Sequence, residues 1–109
     1  MTIVDVSVTQ DDQDVHVVVN GEIDLTNRDA VADRLNAAIT NQTTSVVIDL
    51  EAVSYLDSSG LRLFFTLAER LRVLQVDLAL LVSEASLSRR IIALSGLDQL
   101  VEVRDAHAP

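Results

Sequence analysis

The stretch "SVVIDLEAVSYLDSSGLRLFF", residues 45–65, constrains the fold more than any other part of the chain. Its first half, "SVVIDLEAV", is a short and almost continuous apolar run, as expected of a strand covered on both faces or nearly so. Beyond Gly60 the period changes. Leu61, Phe64, Phe65, Ala68 and Leu71 recur at spacings of three and four, the pattern of an amphipathic helix. An aspartate, two serines and a glycine therefore sit where a strand gives way to a helix N-terminus. Leu63, Leu67 and Leu74 share a second apolar face of that helix, which is either buried or a docking surface adjoining the serines, burial being the more ordinary outcome.

Around this unit the other segments fall into place. "TIVDVSV" and "VHVVVNGEIDL" are β-branched and partly alternating, and the polar "TQDDQD" between them predicts an opening β-hairpin with a solvated turn. From Thr26 the pattern turns helical, with Val31, Leu35, Ala38 and Ile39 on one face. Thr26 followed by Asp29 resembles a capping box, so a helix is expected over about residues 27–40. "VDLALLV" reads as a strand. "SLSRRIIALSG" supplies a third helix with Leu87, Ile91 and Leu94 on its buried stripe and Gly96 as its stop. "QLVEV" closes the domain as a short strand, and residues 104–109, "RDAHAP", are expected to fray. The order of elements calls for an α/β fold, a central sheet with helices packed on it, in a single domain over residues 1–109.

Composition narrows the function. The chain is 49% hydrophobic with one tyrosine, two phenylalanines and no tryptophan, so its core must be aliphatic. Seventeen acidic against eight basic residues give a net charge of −9, which repels phosphate backbones and anionic lipid surfaces. Neither nucleic acid nor membrane is an expected partner. With no cysteine there is no disulfide, thiolate nucleophile or zinc cluster; no cofactor or metal is expected, and the cytoplasm is the default compartment. The N-terminal residues lack a signal-peptide pattern, and no run approaches the roughly 18 apolar residues of a membrane span.

The "DSSG" element admits three readings. A serine on a strand-to-helix turn is where hydrolases expose a nucleophile. Here Gly-x-Ser-x-Gly is not satisfied, and neither His16, inside a predicted strand, nor His107, near the end of the chain, suits a held general base. Catalysis is not expected. In the second reading Asp57, Ser58 or Ser59 caps the helix, a role worth ~1 kcal/mol. In the third a serine accepts a phosphoryl group, which a helix start tolerates and which adds about −1.5 to −2 charges beside Asp57. Cap and switch are compatible.

Three blocks in order, "VNGEIDLTN", "VVIDLEAVSYLDSSGLRLF" and "RRIIALSGLDQLVEV", make the chain similar to the STAS-domain anti-sigma factor antagonists, the SpoIIAA-like class. The resemblance covers essentially the whole chain. It implies a mixed β-sheet flanked by α-helices and a protein that acts by binding. In that family the unphosphorylated antagonist binds an anti-sigma factor that is also a serine kinase; the kinase ends the association by phosphorylating the antagonist, and a serine phosphatase restores it. By the same resemblance Ser58 is the phosphoacceptor, Asp24 lies beside it in the loop after the second strand with Gly21 and Glu22 in the same block, and Asp24, Asp57, Ser58, Ser59, Gly60 and Leu61 form the partner-binding surface. A monomer or weak dimer is expected. A STAS scaffold or regulatory module in a complex unrelated to sigma factors is the alternative. The chain departs from many relatives in lacking a glycine in "RVLQVDL" and a proline in "SEASLSRR", which bears on turn shapes; Arg62 reads as a solvent-facing helix position.

Overall fold

The structure, a computed structural model, describes residues 3–105. The expected hairpin opens the chain: β1 (Val4–Asp11) and β2 (Asp14–Ile23) pair antiparallel, from Val4 opposite Gly21 to Asp11 opposite Asp14. Only Asp12 and Gln13 are left to turn, with Asp12 at φ 58°. Most of the polar "TQDDQD" is therefore strand, because both ends of an edge hairpin project into solvent and polar side chains cost nothing there.

Next come α1 (Arg28–Ala38), β3 (Ser45–Leu56), α2 (Ser58–Val73), β4 (Asp77–Val82), α3 (Leu87–Ser95), a 3-10 turn (Leu97–Gln99) and β5 (Glu102–Asp105). The sheet order is β1-β2-β3-β4-β5, with every neighbour after the hairpin parallel. This is the α/β fold that the order of elements calls for, with the mixed sheet that the resemblance implies. A helix or helical segment connects each parallel pair, as parallel pairing requires.

The core is aliphatic around one aromatic ring, with Phe64, Ile23, Ile48, Leu50, Leu71, Leu80, Ile92 and Leu97 fully buried. On α2, Leu63, Phe64, Leu67, Ala68 and Leu71 are all buried while Leu74 is exposed. The two apolar faces read in the sequence thus merge into one broad buried face, and the second is core rather than docking surface. Arg70 on α2 donates to Asn36 on α1 and ties the two helices together. β3 is not covered on both faces. Val46, Ile48, Leu50, Val53 and Leu56 are buried, but Val47 and Asp49 are half-buried and Glu51 and Ala52 exposed. The strand outruns its neighbour, since pairing to β4 ends at Asp49.

Two further expectations need correction. On α3 the buried residues are Ser88 and Ile92, with Leu87 63% and Leu94 80% exposed. The helix is turned by about one residue from the face its leucines suggest. A small serine lets the backbone lie close to the sheet, and Leu97 in the turn beyond supplies the bulk the core needs. The final strand starts later than "QLVEV" suggests, because Leu97–Gln99 coil to bury Leu97. It also runs further: Arg104 and Asp105, assigned to the fraying tail, pair with Leu81 and Val82 in β5. Residues 106–109, His107 among them, lie outside the described residues.

Gly96 ends α3 at φ 85°, as read. The missing glycine after α2 is replaced by Gln75 at φ 59°, with Val76 N–H donating to the Leu71 carbonyl at 2.9 Å. The left-handed helix exit is kept despite the substitution.

Candidate functional site

The site begins with a register. Ile23 at the end of β2 lies opposite Leu56 at the end of β3, and the Asp57 N–H donates to the Ile23 carbonyl at 3.3 Å. The next residues on the two parallel strands, Asp24 and Asp57, therefore leave the sheet side by side at its C-terminal edge, where α/β sheets place their ligands. Gly21 helps fix this exit. It adopts φ 118°, the pairing of β2 with β3 shifts between Gly21 and Glu22, and a Cβ there would stand 2.3 Å from the Ile3 carbonyl oxygen.

Asp57 caps α2. Its backbone is extended, its Oδ1 accepts from the Gly60 N–H at 2.9 Å, and its carbonyl accepts from the Leu61 N–H at 2.9 Å. Of the three cap candidates the structure selects the aspartate, so both serines lie within the first turn: Ser58 exposed, Ser59 half-buried. Ser58 is therefore the first helical residue. Nor does Gly60 open space for an approaching partner. Gly60 is buried, and a Cβ on it would come within 2.6 Å of Leu56 Cδ1 and 2.9 Å of Ile23 Cγ2. The space it leaves is filled by the domain's own core. Leu61 is half-buried against that core.

The loop from Asp24 to Asn27 is tied down by its own side chains. Asp24 Oδ1 accepts from the Thr26 N–H at 2.9 Å and the Thr26 hydroxyl at 2.6 Å; Asn27 Oδ1 accepts from the Asp24 N–H at 3.0 Å, and Asn27 Nδ2 donates to the Glu22 carbonyl at 2.8 Å. The capping box expected of Thr26 and Asp29 does not form. Asn27 holds the cap position of α1 without a side-chain cap bond, because its amide is spent on the loop behind it. Asp24→Asn keeps an acceptor for this turn and is expected to leave the melting temperature nearly unchanged while lowering partner affinity or phosphorylation rate. Asp24→Ala removes the acceptor, and a lost bond of about 1 kcal/mol lowers the melting temperature by roughly 4–8 °C. Thermal melts of the two variants check this; equal, large losses would make Asp24 a structural residue only.

Two site residues escaped sequence reasoning. Arg28, the first residue of α1, and Arg62 on α2 line a small concavity together with Ser58 and Ser59. Arg62 could have been found, since it follows Ser58 by four residues on a helix. Arg28 could not, because only the folded sheet brings α1 there. Leu25, beside Asp24, is 66% exposed and adds an apolar element to this edge. His16 stands opposite Thr9 and Val47 near the other end of β2, seven residues before Ile23 and so roughly 20 Å from the serines along the strand.

A family model described as STAS domain matches residues 5–108. The chain belongs to the STAS domain family. This STAS domain is 35% identical over 81 residues to the anti-sigma-F factor antagonist RsfB of Mycobacterium tuberculosis, covering 74% of the chain and 65% of that relative's length. It is 30% identical over 96 residues to the anti-sigma-B factor antagonist of Listeria monocytogenes, covering 88% of the chain and 83% of the relative. Among solved structures it is similar to an anti-sigma factor antagonist from Mycobacterium paratuberculosis, with a TM-score of 0.84, 28% identity and coverage of 96% of this chain and 88% of that one. Its homologues are thus anti-sigma factor antagonists.

Proposed function

We propose that this STAS domain is an anti-sigma factor antagonist switched by phosphorylation. Unphosphorylated, it binds a serine-kinase anti-sigma factor and frees the sigma factor; the kinase then phosphorylates Ser58 and the complex dissociates, until a serine phosphatase restores the hydroxyl. The observation that carries this reading is the division of labour at the start of α2. Asp57 holds the cap, so the exposed Ser58 hydroxyl can be modified without unravelling the helix it begins. The names of the relatives support the choice of partner.

Asp24, Asp57, Ser58 and Ser59 would form the contact surface with Leu25 beside them, while Gly60 and Leu61 hold the helix start from beneath. The domain acts by binding rather than as an enzyme; His16, the one histidine among the described residues, stands roughly 20 Å from the serines along its strand. Its place of action is the cytoplasm, where sigma factors meet polymerase; among the described residues no helix is long and apolar enough to cross a membrane.

Incubation with the cognate kinase and ATP tests the assignment. Fragmentation mass spectrometry is expected to place a single phosphate on Ser58. Modification confined to Ser59, and unchanged in Ser58→Ala, would show that the other hydroxyl is the acceptor.

A further inference from the structure

We infer that Arg28 and Arg62 form a receptor, within the same chain, for the phosphate on Ser58. This rests on the reading of Ser58 as the phosphoacceptor. Arg28 and Arg62, on different helices, line one concavity with the two serines. Arg62 lies one helical turn after Ser58, with the anion on the N-terminal side, the favoured order for an i, i+4 pair. Arg28 reaches in from the start of α1. Its ion pair with Asp29 is long, 3.4 Å, and the Asp29 side chain is 90% exposed against 30% for Arg28, so an incoming dianion can displace it.

Basic side chains are scarce in this chain. The molecule carries −9 and has eight basic residues, all of them arginine, yet two of those eight line the concavity that holds Ser58 and Ser59. Two of the nearby acids are already engaged: the Asp57 carboxylate accepts from the Gly60 N–H, and Asp24 accepts from Thr26. Guanidinium is also the side chain whose fork of donors matches phosphate oxygens in pairs.

The arrangement gives the switch two components. In the unmodified chain the exposed Arg62 and the half-buried Arg28 can pair with acidic groups on a partner. Phosphorylation draws them onto the domain's own dianion and fastens the starts of α1 and α2 together. The partner then meets added negative charge and has lost two donors.

The test uses the full chain with phosphoserine encoded at position 58, so that no kinase is needed, and follows the phosphate by 31P NMR as pH is varied. Arginine favours the dianion and lowers the phosphate pKa; Asp24, Asp29 and Asp57 favour the monoanion and raise it. The decisive quantity is the difference between the wild type and the double variant R28Q/R62Q. Its expected size is about half a unit to one unit, the wild type being lower, around a free phosphoserine value of about 6. Arg62→Lys keeps part of the difference, because it retains the charge without the fork. Matching amide spectra of the unphosphorylated variants establish that the fold is intact. Identical titration of wild type and double variant would overturn the inference, whereas a kinase that leaves Ser58 unmodified would sink the functional reading and leave this titration as measured.

Discussion

A phosphate on Ser58 is expected to weaken the complex with the anti-sigma factor about a hundredfold, while Ser58→Ala binds like the unmodified chain and no longer responds to ATP. Phosphorylation adds about −1.5 to −2 charges to an edge where Asp24 and Asp57 already emerge together. In the free protein, solvent, Arg28 and Arg62 offset that charge. A partner that covers the site removes the solvent, and unit charges at about 4 Å then interact by on the order of 4 kcal/mol at an effective dielectric of 20. A residual penalty of roughly 2.8 kcal/mol is enough for the hundredfold loss. Alanine is harmless at this position for a structural reason: the cap bond belongs to Asp57, and residue 58 only has to be helical. Ser58→Asp adds a single charge and is expected to fall between the two. Full binding by the phosphorylated chain would remove electrostatics from the switch.

The second large effect is on stability. Gly60→Ala is expected to cost about 1–3 kcal/mol, the usual range for forcing a methyl group into a filled core. The intruding Cβ would stand 2.6 Å from Leu56 Cδ1, 2.9 Å from Ile23 Cγ2 and 3.0 Å from the Ile23 carbonyl oxygen. Leu56 can shift its side chain, but the Ile23 carbonyl also accepts the Asp57 N–H and cannot withdraw without disturbing the cap. Alanine's better helix propensity returns at most about 1 kcal/mol. A net loss of about 1–2 kcal/mol lowers the melting temperature by roughly 5–15 °C, and slower phosphorylation of Ser58 should accompany it as the helix start moves. A Gly60→Ala domain as stable as the wild type would show that the contacts beneath the motif are loose.

Several of these contacts were legible in the sequence and others could not have been. The hairpin, the β3–α2 unit and the Gly96 stop are decided by residues within a few positions of one another, so period and turn chemistry reveal them. The buried face of α3 is not, because the residue that seats it is Ser88, which carries no hydrophobic signal, and the bulk comes from Leu97 beyond the helix. The capping box of α1 had the right letters in the wrong context. Thr26 binds backward to Asp24, and Asn27 is committed to Glu22 and Asp24. At the site, the serines stood out because a polar cluster interrupts two apolar runs. The juxtaposition of Asp24 with Asp57 follows only from the pairing of Ile23 with Leu56, thirty-three positions apart in the chain. Arg28 depends on the same pairing, which is why the family resemblance pointed to the acids and nothing in the sequence pointed to the arginine.

Calorimetric titration of the anti-sigma factor with the unmodified chain and with the chain carrying phosphoserine at position 58, in the same buffer and salt, tests the phosphorylation switch most directly. The unmodified chain is expected to bind about a hundredfold more tightly, with Ser58→Ala matching it. Equal affinities for the unmodified and phosphorylated chains would contradict the proposed role of Ser58.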